Sequence, residues 1–224
     1  MRAKEFIIVE NNENLDEGLK DIATAGIATL GLMGAPQAST AIAHQPATIS
    51  HTQTQKAPTK LNQHETRLEQ AAKKAGIKGV ELAQFLAQVK HESWDYTRLK
   101  EKGGSLDFRK YDIRYNPQMA KILGNTKPGD GVKYHGRGYI QLTGRDNYMR
   151  AGHALNLDLV NHPNLAERPD VAAKVAIWYW KNRVQPHVVN FNNTAQVTKY
   201  INSGMSGLEN RHDNFKDYLK IIHA

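Results

Sequence analysis

Hydrophobic and polar positions divide the chain into three zones, of which the last, residues 64–224, carries the helical periodicity. His64 to Ala75 reads as a helix stopped by Gly76, because glycine accepts the left-handed backbone that closes a helix. Residues 79–92 form a second helix with Leu82, Phe85, Leu86 and Val89 on one face. Asp170 is expected to cap a helix from Val171 to Lys181, whose Val171, Val175, Ile177 and Trp178 supply core mass. Trp180 joins Trp178 in the core by the same spacing. Asn193 or Thr194 caps a helix running to Ile201, and Leu208, Phe215, Leu219 and Ile222 mark a final amphipathic helix. Between these elements, Gly103 to Gly138 is broken by Gly, Pro and Asp and is expected to carry short strands or a hairpin. The pattern predicts a mainly α fold, or α+β with a small minor sheet.

The first two zones look different. Residues 1–45 form an N-terminal extension: Phe6-Ile7-Ile8-Val9, an acidic stretch, and then an apolar run rich in Ala, Gly and Thr. That run, residues 22–35, is too short and too glycine-laden for a membrane span. It resembles the apolar part of a signal peptide, yet acidic residues precede it where a secretory signal has a short basic start. It is the single stretch from which a membrane contact is expected, and the extension is read as a targeting, anchoring or virion-docking segment. Residues 46–63, rich in Thr, Gln, His, Ser, Pro and Lys, read as a linker. His44, His51 and His64 are too irregularly spaced for a metal site, and no metal or organic cofactor is expected.

Composition narrows the chemistry. The 224 residues contain no cysteine, which rules out disulfides, thiolate metal sites and a cysteine nucleophile. The formal charge of +8 is uneven: residues 1–40 carry −3, leaving +11 on the remainder. Lys and Arg are scattered rather than clustered and match no nucleic-acid motif, so no nucleic-acid partner is expected. The charge suits an anionic bacterial envelope.

The apolar face of the second helix leads through Leu82, Phe85 or Leu86 and Val89 to Glu92, on the buried side. Burial disfavours an ionised carboxyl and keeps it protonated, as a general acid must be. Without that role, a helix-end Glu at this position would pair with a nearby Arg or Lys. Glu101 follows nine residues later among Arg98, Lys100 and Lys102, which favour its ionised form; Asp95 and Asp107 compete with it for the role of base. A neutral acid facing an ionised base is the arrangement of glycoside hydrolysis, and inverting enzymes hold the two carboxyls ~6.5–9.5 Å apart. Arg137 and Arg145 read as guanidinium forks that pin a turn to backbone carbonyls.

Lys90-His91-Glu92-Ser93, the run Tyr134 to Tyr148 with its Gly-Arg-Gly-Tyr-Ile-Gln-Leu-Thr-Gly-Arg core, Asn202-Ser203-Gly204 and Gly207-Leu208-Glu209-Asn210-Arg211 resemble the family 19 glycoside hydrolases, the chitinase class I family. The likeness is strongest to its bacterial and bacteriophage branch, which includes peptidoglycan-degrading endolysins, and covers residues 64–224 as the catalytic domain. The resemblance implies a lysozyme-like fold of two lobes around a sugar groove, and inverting hydrolysis of a β-1,4 bond beside an N-acetylglucosamine-type sugar. By position it implies Glu92 as general acid, Glu101 as base and Thr143 as the hydroxyl that holds the attacking water. Gln141, Asn202, Tyr134 and Arg211 fall among the substrate-binding positions, Arg211 as a basic residue near the acids. Two departures stand out. Trp94-Asp95 occupy positions where family members often have glycines or a small residue, and Tyr139 stands where plant members usually have proline.

The expected function is endo-acting hydrolysis of bacterial peptidoglycan by a monomer acting in the cell envelope, produced in a host cytoplasm or carried in a virion. One alternative is a chitinase acting on poly-N-acetylglucosamine. Another is a non-catalytic glycan-binding or virion structural protein, which the extension motivates; Ile8-Val9-Glu10 resembles a short prohead-protease site.

Overall fold

The computed structural model describes residues 61–222, which carry eight α-helices. The expected extension, residues 1–45, and residues 46–60 of the expected linker lie outside the described residues. Asn62 and Glu65 open α1 (Gln63–Lys74) through reciprocal bonds. The Asn62 side chain accepts from the Glu65 N–H at 2.9 Å, and the Glu65 carboxylate accepts from the Asn62 N–H at 2.7 Å. Two donors that a helix start leaves unpaired are thereby satisfied.

The second helix, α2 (Gly79–Glu92), is buried on all sides rather than on one face. It packs most extensively against the last helix, α8 (Leu208–Ile222), and also against α1 and α7 (Thr194–Ile201). Leu82, Phe85, Leu86 and Val89 lie in the core as the periodicity predicts. A polar line also runs through the same core. Gln84 donates to Thr194 Oγ1 at 2.8 Å and Gln88 to Thr198 Oγ1 at 3.1 Å, leading at the same spacing to Glu92. Buried amides are tolerated here because each has a partner.

The middle segment departs from expectation. Gly103 to Gly138 holds no strand; it forms a 3₁₀ turn (Asp107–Tyr111), α3 (Pro117–Ile122) and α4 (Asp130–Lys133). Asn116 caps α3 by accepting from the Met119 N–H at 3.0 Å, and Pro117 fits the first turn, where its missing N–H costs nothing. The expected minor sheet reduces to two isolated antiparallel bridges, Lys100 with Arg137 and Arg137 with Leu142. Phe108, Tyr111, Met119 and Leu123 make a small core of their own beside the main one.

After α5 (Arg145–Leu155), α6 (Pro169–Tyr179) begins at a proline preceded by Arg168. Asp170 is therefore not the cap. It sits inside the first turn and pairs with Arg168 at 3.1 Å. The helix runs on into a π turn, Trp180–Val184, with Trp180 buried and its indole N–H donating to Glu81 at 2.8 Å. Trp178 is half-buried against the core. No described helix is long and apolar enough to cross a membrane.

Arg145 clamps α4 to α5. Its guanidinium donates two bonds to the Asp130 carboxylate, at 2.6 and 2.8 Å, rather than to backbone carbonyls. Burial alone would raise the Asp130 carboxyl, but the Arg145 fork and the Lys127 and Thr126 N–H groups outweigh it and hold the carboxyl below its ordinary range. A carboxyl depressed on folding stabilises above its unfolded pKa of about 4, and that contribution is lost as pH falls through the lower folded value. Asp130→Asn should cost about 2–4 kcal/mol at neutral pH and less in acid. Urea unfolding of both forms at neutral pH and at about pH 3 checks this, and an equal cost at both would refute it.

Candidate active site

Glu92 ends α2 and is 7% exposed. Its Oε1 accepts from Nη2 of Arg211, which sits on α8 and is fully buried. The same guanidinium donates to Gln88 Oε1 at 2.7 Å and to the Ser206 carbonyl at 3.0 Å. A buried carboxylate is costly without a counter-charge, and Arg211 supplies one. The pairing that spacing alone left open is thus present, with a partner 119 positions away. Arg211 does not take the groove-lining position expected of it: with no exposed surface it touches Glu92 and Gln88, not a polymer.

Glu101 lies where the small core meets the Tyr134–Gly144 loop. Its Oε1 accepts from Lys110 Nζ at 2.9 Å and from the Tyr111 hydroxyl at 3.0 Å; Oε2 accepts from the Gly136 N–H at 3.0 Å. Three donors fix the carboxylate and leave it capacity to accept one more bond. Burial, followed by the charge of Glu101 and the bond to it, pushes the Tyr111 hydroxyl far above its ordinary range, so Tyr111 stays a proton donor. The basic neighbours named from sequence are engaged elsewhere: Lys100 reaches Glu167 at 3.7 Å, and Arg98 lies over the Trp94 ring. The competing acids sit apart from this loop. Asp107 accepts from the Gly104 N–H at 2.8 Å, and Asp95 is exposed beside Lys90.

The loop brings Gln141 to Glu101. A Cβ on Gly136 would stand 3.0 Å from Gln141 Oε1 and 3.2 Å from Glu101 Oε2, so only glycine lets both side chains close on this backbone. Gly136→Ala should push both aside by a few tenths of an ångström and lower activity by about tenfold, because misplacement of this order is costly in rate. A steady-state assay beside a melting curve checks it, the latter expected to change little. The Gln141 amide donates to the Gly138 carbonyl at 2.9 Å and the Arg98 carbonyl at 3.3 Å. Thr143 is buried, and its hydroxyl donates to the Gln141 carbonyl at 2.8 Å, keeping its lone pairs for an acceptor role.

Asn202 closes α7. Its Oδ1 accepts from the Gly204 N–H at 2.9 Å, while its buried Nδ2 has no acceptor among the described residues. Tyr134 does not line a groove. It is fully buried, packs on Tyr148 and donates its hydroxyl to the Val160 carbonyl at 3.1 Å. An aromatic ring in a motif reads equally as core or as sugar platform, and here the core claims it. Arg137 pins the loop as expected, donating to the Lys133 and His135 carbonyls, and adds Tyr148 and Glu167. Sequence reasoning missed Gln88, Lys110 and Tyr111; only Gln88 left a signal, as a polar residue four positions before Glu92 on an apolar helix. Among the described residues no three His, Cys, Asp or Glu are grouped to hold a metal ion.

Comparisons with known proteins agree with this geometry. Residues 64–215 match the family model for chitinase class I. A glycosyl hydrolase family 19 domain-containing protein of Haemophilus influenzae is 37% identical over 161 residues, covering 62% of this chain and 78% of that protein. Chitinase 8 of rice is 42% identical over 101 residues, and the match spans only 34% of its length. Among solved structures, chitinase C from Streptomyces griseus superposes with a TM-score of 0.54 at 27% identity, over 71% of this chain and 84% of that one. A class IV chitinase from Zea mays, 22% identical, shares the fold with a TM-score of 0.54. The chain belongs to the chitinase class I family, the family 19 glycoside hydrolases, enzymes that act on O-glycosyl bonds.

Proposed function

We propose that the chain hydrolyses β-1,4 bonds within the glycan strands of bacterial peptidoglycan, as an endolysin-like enzyme, by an inverting two-carboxylate mechanism. The observation that carries this reading is the contrast between the two carboxyls. Glu92 is buried against Arg211, whereas Glu101 is held at the loop by a hydroxyl, an ammonium and a backbone N–H. Glu92 protonates the leaving oxygen. Glu101, with its remaining acceptor capacity, takes a proton from the water that attacks the anomeric carbon from the opposite face, and Thr143 accepts that water's second hydrogen. The buried Asn202 amide N–H and the Gln141 carbonyl oxygen hold sugar hydroxyls and acetamides. The +8 charge favours peptidoglycan, whose peptide stems and lactyl groups carry carboxylates, over neutral chitin. The site of action is the cell envelope, reached from a host cytoplasm or from a virion. Chitin is the second reading, and the names of the rice and Streptomyces relatives favour it.

The test is to incubate the full chain with purified peptidoglycan and, separately, with N-acetylglucosamine oligomers, following new reducing ends and their anomeric form by proton NMR. Internal cleavage of peptidoglycan with first-formed α-anomers is expected. Faster cleavage of the neutral oligomers would give the substrate to chitin, and β-anomers would overturn inversion.

A further inference from the structure

Trp94, Asp95 and Tyr96 follow the Glu92 helix with φ of +52°, +57° and +62°, three L-residues in succession in the left-handed region that favours glycine. Tyr96 gains burial from this: it lies in the core, with its hydroxyl on the Leu86 carbonyl at 3.0 Å. Trp94 does not, because its side chain is 45% exposed. The turn is nevertheless firmly held. Ser93 Oγ donates to the Val89 carbonyl at 2.7 Å and accepts from the Tyr96 N–H at 3.0 Å, and Arg98 N–H donates to the Ser93 carbonyl at 3.1 Å. A large apolar ring kept at the surface on a costly backbone is the kind of expense found at ligand sites.

The ring is one wall of a pocket of about 550 Å³ lined also by Lys90, His91, Arg98, Gly207 and Asn210. The Arg98 guanidinium lies 3.6 Å from the centre of the Trp94 ring. His91 bonds Asn210 at 2.7 Å, and Gly207 passes so close to its ring that a Cβ would clash with it. The pocket is continuous with the site at both ends. His91 adjoins Glu92, and the Arg98 carbonyl accepts from the Gln141 amide.

We propose that Trp94 and Arg98 form a specificity subsite next to Glu92, taking a sugar ring that bears a carboxylate substituent. The indole offers a flat apolar face to the ring's C–H groups, and Arg98, with Lys90 beside it, offers charge to the carboxylate. This deepens the peptidoglycan reading and rests on it, because muramic acid carries such a group and the chitin unit does not.

The test measures binding in full-length Glu92→Gln protein by calorimetry, using two tetrasaccharides. One is neutral poly-N-acetylglucosamine; the other alternates N-acetylglucosamine with N-acetylmuramic acid. Adding Arg98→Gln should weaken the acidic ligand by about tenfold and the neutral one by less than about twofold. Adding Trp94→Gly should weaken the acidic ligand by about tenfold, with Trp94→Tyr restoring most of the loss. Because glycine relieves the backbone, Trp94→Gly should also raise the melting temperature by a few degrees. Equal effects of Arg98→Gln on both ligands, unchanged affinity in Trp94→Gly, or a lowered melting temperature would each overturn the proposal. Failure here with peptidoglycan cleavage intact removes only the subsite. The expected binding pattern in a wild type that cleaves neither polymer keeps the subsite and removes the function.

Discussion

Glu92→Gln is expected to lower the rate of glycoside cleavage by about a hundredfold or more while leaving the protein folded and able to bind its polymer. The amide has nearly the shape of the carboxyl and still offers Arg211 an oxygen, so the geometry at the end of α2 should persist. Arg211 also keeps its bonds to Gln88 and the Ser206 carbonyl. What is lost is an acidic proton for the leaving oxygen, and a hundredfold loss corresponds to about 2.7 kcal/mol of transition-state stabilisation. Because that interaction exists only in the transition state, kcat should fall and KM should stay within about threefold. Steady-state kinetics on whichever polymer the wild type cleaves, with a circular dichroism melt beside them, make the measurement. A variant that keeps more than about a tenth of the activity would move the acid away from Glu92.

The helix carrying Glu92 could be read from Leu82, Phe85, Leu86 and Val89 because apolar spacing reports which side of a helix faces a core. It could not report that α2 is surrounded, since Gln84 and Gln88 look like solvent residues until Thr194, Thr198 and Arg211 are seen opposite them. Those partners lie more than a hundred positions away, and no local pattern encodes such pairings. For the same reason Glu101 was recognisable only as an acid at a suitable separation, while Lys110 and Tyr111 arrive through the packing of a small satellite core. Helix α5 escaped notice because it opens on a glycine-rich loop, and Gly144 makes no side-chain cap. Tyr134 and Arg211 were placed at the groove by motif alone. Burial reassigns both, Tyr134 to the core and Arg211 to the support of Glu92. Motif position names a neighbourhood, and exposure decides what touches the ligand.

Arg211→Met should destabilise the fold by about 3–5 kcal/mol, the largest stability effect expected of any single change at this site. Methionine fills much of the volume but strands the Glu92 carboxylate and the Gln88 carbonyl oxygen in the protein interior without donors. For a domain whose total stability is of order 5–15 kcal/mol, that is a substantial fraction. The cause can be separated from simple loss of packing by a double-mutant cycle. If the cost is the uncompensated charge, Glu92→Gln in the Arg211→Met background should recover about half of it, because a neutral amide is cheaper to bury than a carboxylate. If the cost is packing, the second substitution should add to the first. Urea unfolding at neutral pH reads all four corners, with unchanged m-values showing that the comparison is of stability alone. Recovery in the double mutant would mean that α8 is tied to the end of α2 chiefly by charge, so the most buried arginine of the described residues exists to hold the acid rather than the sugar.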